Sequence, residues 1–356
     1  AVEIVNLLHL EASFENATLL YLDQWPKLTA MNGQFTLKDN QFSFNIDSAR
    51  VSGAQIRSTR GQIADVLSHQ PSLTVQGTAL GRAEQGTSFI SATPLAPKFA
   101  PLMRQLDAKG DAALALGLTI PLTGDGPIKV RGELKLKQAE LRVRALRSAL
   151  SDVSGAIVFD AQGLTNAALK AHYLHREITM SLHSLQDSRD NTRLRIDGAT
   201  DPQGLIRHLY DVGALDSDDR SALPLLGRLS GLANWQVSID FAQPDVGAET
   251  ITMTVQSDLV GMALNLPQPM GKAALESRQL KVTSTLLSDK VEDRRFNVHY
   301  GDALHAVLEM TAQRPNGFAL QRGAFRLGGG EAILTSEQGI SVDGAVAVFS
   351  VDDWAT

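Results

Sequence analysis

The feature that most constrains this chain is a two-residue alternation of apolar and polar side chains. In segment 42–47 phenylalanine and isoleucine alternate with serine, asparagine and aspartate, and in segment 251–255 isoleucine, methionine and valine alternate with threonine. This pattern is typical of a β-strand with one apolar and one wet face. It recurs in segments 35–38, 114–120, 134–137, 141–144, 178–183, 235–241 and 296–300. The sequence therefore predicts a mostly β protein with a dozen or more antiparallel strands.

Short runs of turn-forming residues separate alternating segments and predict hairpins. They are Asp39-Asn40, Gln138-Ala139 and Gly328-Gly329-Gly330. A glycine followed by two apolar residues at alternate positions also recurs, at Gly33, Gly132, Gly155, Gly323 and Gly344. Glycine at a strand start favours a bend or a bulge, so we interpret the chain as a meander of similar units. We predict one continuous β-fragment, 1–356, with repeat units 1–110, 111–230 and 231–356.

Helical signals are few and short. Asp201 is a candidate N-cap with Pro202 at the first helical position, and segments 99–106 and 218–226 are further candidates. We predict a helical insert at about residues 201–228. Three short helices cannot cover the apolar face of a dozen strands, and such a face must be buried against something.

That apolar face can be buried in more than one way. It can pack on a second sheet, close into a barrel, or hold a ligand such as a lipid acyl chain. A strand of about seven residues spans roughly 23 Å, so a long sheet curled into a trough would present an apolar lining of that width. The residue pattern favours the self-packed sandwich or barrel and leaves the lipid-filled trough open.

Composition narrows the classes of function. The 356 residues carry a formal net charge of −6, which argues against a nucleic-acid-binding protein. The chain contains no cysteine, which excludes disulfides, thiol nucleophiles and cysteine-ligated metals. No apolar run approaches the length of about 20 residues that a membrane helix needs. The chain starts at Ala1 without a signal-peptide pattern, so we expect a piece of a longer protein whose membrane anchor lies outside it.

The histidines that resemble metal ligands have a structural interpretation. His172 and His175 are three residues apart, so on a strand they point to opposite faces. With the neighbouring His183 they are interpreted as surface residues. His299 and His305 lie on either side of an expected turn and receive the same interpretation.

Other reactive patterns are also absent or structural. Asp216, Asp218 and Asp219 lack the glycine and the terminal glutamate of a calcium loop and are interpreted as a helix entry. No serine lies in a nucleophile elbow, and the triple glycine lacks the lysine of a phosphate-binding loop. We therefore expect no catalytic residue, no metal and no cofactor.

A basic face is predicted on one hairpin, and it contains Lys135, Lys137, Arg142, Arg144 and Arg147. A solvated outer face is the ordinary interpretation of such a cluster. Contact with anionic lipid headgroups or with a partner is the alternative.

The most specific motif lies between Gln256 and Lys272. It contains Ser-Asp-Leu-x-Gly, then Leu-x-Leu-Pro-x-Pro, then Gly-Lys. This segment closely resembles the YhdP branch of the AsmA-like family. Further stretches that resemble the family are Trp25-Pro26 with Asn32-Gly33, segment 106–111 with Ile120-Pro121-Leu122, and Val153-Ser154-Gly155 with segment 159–164. The resemblance covers most of residues 25 to 300.

The resemblance implies a fold and a function. AsmA-like proteins of Gram-negative bacteria resemble bridge-type lipid transporters that are anchored in the inner membrane and cross the periplasm. Their repeated β-units are expected to form an elongated, U-shaped apolar groove along which phospholipids move towards the outer membrane. The resemblance therefore favours the trough, a non-enzymatic role in the outer-membrane permeability barrier, and protein partners at the two membranes.

The residues predicted to line this lipid groove come from the alternation alone. They are the apolar members of six alternating segments, and introducing a charge at one of them should block lipid passage. The set is Phe35, Leu37, Phe42, Phe44, Leu114, Leu116, Leu118, Ile120, Leu134, Leu136, Ile178, Met180, Leu182, Ile251, Met253 and Val255.

Overall fold

The computed structural model confirms a mostly β chain. It describes residues 8–21, 25–93, 96, 103–124, 126–146, 148–161, 163–184, 192–211, 227–242, 250–287, 290–313, 317–348 and 350–354. Of these residues 66% lie in strands, and the helices are few and short. Among the described residues no helix is long and apolar enough to cross a membrane.

The chain divides into two compact units. The first unit comprises residues 1–142, 151–169 and 182–190, and the second comprises residues 143–150, 170–181 and 191–356. The predicted repeat units 1–110, 111–230 and 231–356 stay a prediction.

The first unit begins with a six-stranded meander. Its strands are β1 (His9–Leu19), β2 (Leu28–Lys38), β3 (Gln41–Val51), β4 (Ala54–Ile63), β5 (Ser72–Arg82) and β6 (Leu106–Pro121), and helix α1 (Ala83–Ser91) follows β5. Each strand pairs antiparallel with the next. The predicted turn at Asp39-Asn40 joins β2 to β3. Strands β7 (Lys129–Val143), β8 (Ser148–Asp160), β9 (Gly163–Tyr173) and β10 (Arg176–Ser184) contribute residues to both units.

The second unit contains a longer meander. Its elements are β11 (Thr192–Thr200), α2 (Pro202–Asp211), β12 (Leu229–Gly231), β13 (Ala233–Ala242), β14 (Thr250–Ser257), β15 (Met262–Leu264), β16 (Leu280–Leu287), β17 (Lys290–Tyr300), β18 (Leu304–Gln313), β19 (Gly317–Leu327), β20 (Gly339–Gly344) and α3 (Val351–Trp354). The order of antiparallel pairing is β11, β13, β14, β16, β17, β18 and β19. Strand β20 pairs parallel to β19, while β12 and β15 form a separate ribbon.

Several strands change the phase of their alternation halfway along. In β4 the less exposed positions are 54 and 56 before the change and 59, 61 and 63 after it. Ser58, at the change, has a φ of 49°, and the register with β5 shifts by one residue there. Such a bulge keeps the apolar residues on one face while the strand bends. Left-handed residues also lie within β1, β2, β7 and β8, at Asn16, Ala30, Gln138 and Asp152.

One such phase change corrects a sequence-based prediction. Gln138-Ala139 is not a hairpin turn, because β7 runs without a break from Lys129 to Val143. Gln138 has a φ of 48°, so the strand continues after its apolar positions move from even to odd numbers. The triple glycine is not a hairpin turn either, since the strand that follows it pairs parallel to β19.

At two of these bulges the left-handed residue donates its backbone N–H to a polar side chain sixteen residues further along the chain. The N–H of Asn16 donates to Asn32 Oδ1 at 2.9 Å, and the N–H of Gln138 donates to Ser154 Oγ at 2.9 Å. The next residue is glycine in both cases. A Cβ on Gly33 would lie 2.2 Å from a backbone oxygen of β3, and a Cβ on Gly155 would lie 2.3 Å from one of β9. The family motifs Asn32-Gly33 and Ser154-Gly155 therefore have the same local role.

Candidate functional site

The first unit presents a continuous apolar face across six strands. Directly opposed residues of neighbouring antiparallel strands lie on the same face of the sheet. One row of opposed residues from β1 to β6 is Leu10, Leu37, Phe42, Ile63, Leu73 and Ile120. The next row is Ala12, Phe35, Phe44, Gly61, Val75 and Leu118. Together with Leu116 and Leu114, which oppose Gly77 and Ala79 of β5, these rows are called the first apolar face.

Eight of the predicted groove residues lie on this face. They are Phe35, Leu37, Phe42, Phe44, Leu114, Leu116, Leu118 and Ile120, and all are partly exposed. The face also contains Ile63, Leu73 and Val75, which were not predicted because glycine and threonine interrupt the alternation around them. The regular spacing of the turns before β4 and β5 is the signal that could have found them. The role of these residues as a lipid-groove lining stays a prediction.

Aromatic side chains pack over glycine on this face. The ring centroids of Phe35 and Phe42 are 5.8 Å apart, and those of Phe42 and Phe44 are 6.2 Å apart. A Cβ on Gly61, the cross-strand partner of Phe44, would lie 2.2 Å from the phenylalanine ring. Glycine at this position therefore makes room for an aromatic ring that lies flat against the sheet.

The opposite face of the first unit is polar. A row of directly opposed residues runs through Thr36, Ser43, Gln62, Thr74 and Thr119. This face carries an open depression of about 420 Å³ whose lining includes Gln34, Asn45, Arg60 and Gln76. The two faces of this part of the sheet therefore differ, one being apolar and the other polar.

The second unit presents a similar apolar face over eight strands. One row from β11 to β20 is Leu194, Ile239, Met253, Ser284, Phe296, Leu308, Gly323 and Ile340. The next row is Ile196, Val237, Val255, Val282, Val298, Ala306, Phe325 and Val342. These two rows, with Phe241 and Ile251 at one end, are called the second apolar face.

The second apolar face is most completely buried on β11 and β13 and most exposed on β20. Leu194 and Ile239 are fully buried at 0%, the residues of β14 to β19 are mostly partly exposed, and Ile340 of β20 is 63% exposed. The predicted groove residues Met253 and Val255 lie in the partly exposed portion. Of the remaining predicted groove residues, Leu134 is partly exposed. The other five are buried, and they are Leu136, Ile178, Met180, Leu182 and Ile251.

Helix α2 packs beside the buried part of the second unit. Asp201 is its N-cap, as predicted, and its Oδ1 accepts the N–H of Gly204 at 2.8 Å. This hydrogen bond and the ion pair with Arg176 hold the pKa of the Asp201 carboxyl below its ordinary value. The Tyr173 hydroxyl bonds to His208 of the helix, and the Tyr173 ring meets Trp235 edge-on at 6.2 Å. Residues 212–226 of the predicted insert and residues 99–102 of the helix candidate 99–106 lie outside the described residues, while residues 103–105 of that candidate are helical.

The family motif between Gln256 and Lys272 forms a closed cap at a strand end. Lys272 is 5% exposed, and its Nζ donates to the carbonyls of Leu259, Met262 and Ala273 at 2.8, 2.6 and 2.9 Å. Burial lowers the pKa of this ammonium group. The Tyr300 hydroxyl donates to the Met270 carbonyl at 2.8 Å. Because all three ammonium protons are used, Lys272 stabilises the cap and is not available to bind an anionic ligand.

The remaining polar candidates have different outcomes. His172, His175 and His183 are exposed, as expected of surface residues. Lys135, Lys137 and Arg142 lie exposed on the single strand β7, so the basic face does not lie on a hairpin. Arg144 begins a short 3₁₀ turn, and Arg147, Asp216, Asp218 and Asp219 lie outside the described residues.

Two histidines that were interpreted as structural, His299 and His305, lie close to a carboxylate. His299 and His305 are cross-strand partners in β17 and β18, and Glu331 follows β19. Among the described residues they form a group that could hold a metal ion.

Comparisons with known proteins agree with the resemblance that the motifs indicated. The family model described as YhdP protein matches residues 3–356. The intermembrane phospholipid transporter YhdP of Escherichia coli (strain K12) is 22% identical over 281 residues, which is 77% of this chain. The aligned part is 21% of that relative's length. No solved structure matches the chain significantly. Since the family model spans nearly all of its residues, the chain belongs to the YhdP family.

Proposed function

We propose that this chain forms part of a periplasmic conduit that carries phospholipid acyl chains between the inner and outer membranes. The observation that supports this most directly is the first apolar face, whose rows cross six strands while their side chains stay partly exposed. A relative named as an intermembrane phospholipid transporter supports the same function.

The physical basis is the transfer of hydrocarbon from water to the apolar face. Each buried methylene of an acyl chain contributes about 0.8 kcal/mol. A continuous aliphatic surface offers a similar environment at every point, so a chain can slide without one tight binding site. The charged headgroup stays hydrated at the open side. This role needs no catalytic residue and no cofactor.

The location follows from the same proposal. The full-length protein is anchored in the inner membrane and extends through the periplasm, where it supports the outer-membrane permeability barrier. Proteins at the two membranes are its partners at the ends of the full-length chain. The lining is the predicted set of groove residues, extended by Ile63, Leu73 and Val75 on the first apolar face.

The experiment is native mass spectrometry and solvent extraction of the chain purified without detergent. We expect bound phospholipid in the wild type and at least about a tenfold loss in Leu116→Asp, because a carboxylate on the apolar face disfavours hydrocarbon contact. Ala115→Asp is the matched control, since Ala115 is exposed on the opposite face of the same strand. Equal lipid content in the two variants, or a lipid-free wild type, would contradict the proposal.

A second candidate function is a self-packed β-scaffold that binds protein partners of the envelope. The observation that favours it is the complete burial of Leu194 and Ile239 on the second apolar face. This candidate predicts a stable chain that retains no lipid during purification.

A further inference from the structure

Helix α1 lies over one margin of the first apolar face. Gly81 of β5 is on the same side of the sheet as Val75 and Ala79, because these residues alternate along the strand. A Cβ on Gly81 would lie 2.4 Å from Oε1 of Gln85, the third residue of the helix. The Gln85 side chain is therefore on the apolar side of the sheet.

The helix extends from the end of β5 towards the start of β2. A Cβ on Gly53, in the turn between β3 and β4, would lie 2.9 Å from Nε2 of the same Gln85. Phe89 is one helical turn further along and on the same side of the helix. Its ring meets Trp25, which precedes β2, edge-on with centroids 6.0 Å apart, and Trp25 lies 6.2 Å from Tyr21. Helix α1 therefore crosses the ends of the strands between β5 and β2.

The exposure of β3 falls towards this helix. At the far end of the strand Phe42 and Phe44 are partly exposed, whereas Val51, at the end near the helix, is only 8% exposed. Val51 opposes Ala54 of β4, whose Cβ is 3.0 Å from the Cβ position of Gly81. Val51, Ala54 and Gly81 are called the covered margin. The first apolar face is therefore open at one side and covered at the other.

Helix α1 is lightly attached compared with the strands around it. It has nine residues, and an isolated helix of this length is marginal in water. Ala83 is its only buried residue, and Gly86 has open space where a side chain would lie. Elements with few buried contacts open locally at a small free-energy cost. Loss of the contact between Phe89 and Trp25 should therefore be enough to free the helix from the sheet.

We propose that α1 is a lid, which lifts from the covered margin so that a phospholipid acyl chain can lie across the full width of the first apolar face. This inference rests on the proposed function, since it requires acyl chains on that face. With the helix in place, the chain contacts only the open part of the face. When the Phe89–Trp25 contact breaks, Val51 and Ala54 become part of the lining.

The first test measures the opening of the lid without lipid. The chain contains no cysteine, so Val51→Cys supplies a single thiol in the covered margin. We expect Ellman's reagent to modify it at least about tenfold more slowly than Ile63→Cys, at the open end of β4, because the reagent must wait for α1 to lift. Adding Phe89→Ala should raise the Val51→Cys rate by about three- to tenfold, the weight of one aromatic contact.

Matched variants show whether this effect belongs to the lid. Phe89→Ala should leave the Ile63→Cys rate unchanged. Ser88→Ala, at an exposed position of the same helix, should change the Val51→Cys rate by less than about twofold. Circular dichroism checks that each variant folds. Equal rates for Val51→Cys and Ile63→Cys, or no acceleration by Phe89→Ala, would overturn the proposal.

The second test connects the lid to lipid uptake. In the double variant Trp25→Cys and Phe89→Cys, a short bismaleimide joins the two thiols and holds α1 down. The probe is a phosphatidylethanolamine with a fluorescent acyl chain, presented in vesicles of phosphatidylethanolamine and phosphatidylglycerol. We expect uptake at least about tenfold slower in the cross-linked protein than in the same variant before cross-linking.

The outcomes of this second test separate the lid from the conduit. If the variant takes up lipid equally fast before and after cross-linking, the lid is overturned while the proposed function stands. If neither the wild type nor the variant takes up lipid, the proposed function fails, and the role of α1 in lipid access fails with it.

Discussion

The first and second apolar faces arise from the same alternation but differ in how far they are covered. On the first face the eight predicted groove residues are all partly exposed, whereas the second face is fully buried at Leu194 and Ile239 and becomes open towards β20. Alternation decides which side chains share a face of the sheet. It does not decide what lies against that face. The same alternation can therefore supply a packed core in one place and a partly exposed apolar surface in another.

The largest expected effect is the loss of unfolding free energy when a charge is placed on the second apolar face, compared with the loss on the first. Ile239→Asp places a carboxylate at a position with 0% exposure and should cost about 4 kcal/mol or more of unfolding free energy. Leu118→Asp, on the partly exposed first face, should cost only about 1 to 2 kcal/mol because the carboxylate can reach water. Urea unfolding followed by circular dichroism measures both values. Similar losses in the two variants would remove the distinction between the faces.

The next contrast uses two of the glycines that lie under aromatic rings, one on each unit. A Cβ on Gly198 would lie 2.6 Å from Trp235 and 2.8 Å from the buried Ile178. The three atoms nearest to a Cβ on Gly61 all belong to the Phe44 ring, which can move outwards from a partly exposed face. We expect Gly198→Ala to destabilise by about 2 to 3 kcal/mol and Gly61→Ala by about 1 kcal/mol. Thermal unfolding of the pair tests the order, and the reverse order would contradict it.

A pH-dependent prediction concerns the helix beside the buried part of the second face. Because the Gly204 N–H and Arg176 lower the pKa of Asp201 on folding, its charge stabilises the folded state above the unfolded-state pKa. This contribution is lost as the pH falls through the lowered, folded-state pKa. Asp201→Asn keeps the N-cap but removes the charge, so its unfolding free energy should decline less in acid, by up to about 1 kcal/mol.

Urea unfolding between pH 2 and pH 7 would measure that difference. Arg176→Gln removes only the ion pair, and its acid sensitivity should lie between those of wild type and Asp201→Asn. An Asp201→Asn variant with the same acid sensitivity as wild type would contradict the prediction.

A last effect of similar size concerns Ser284, a polar residue on the second apolar face. It is 1% exposed, and within the described residues its hydroxyl has no hydrogen-bond partner. Ser284→Ala removes a desolvated polar group and should raise the unfolding free energy by about 1 kcal/mol. The midpoint of thermal unfolding measures this effect. A clear loss of stability would indicate that the hydroxyl is hydrogen-bonded in solution.

Sequence reasoning predicted the local pattern well and the continuation of strands less well. The alternation around Phe42 and Met253 indicates strands, because side-chain direction in a strand follows directly from sequence position. Gln138 is an example of a wrong prediction, because one left-handed residue within a strand shifts the phase of the alternation in the same way as a turn does. The position of Glu331 beside the His299 and His305 pair was also not predicted. The chain returns there after β19 because Ala332 packs in a buried cluster, which depends on residues far away in the sequence.

By itself the sequence determined a mostly β chain, the faces of its strands, the N-cap at Asp201 and the resemblance to a family. These properties are local, since each depends on residue types at short spacing. Only the tertiary structure decided which strands pair, where bulges keep the apolar residues on one side, and which parts of the two faces are covered. Register and burial depend on residues far apart in the chain, so no short segment contains the information that specifies them.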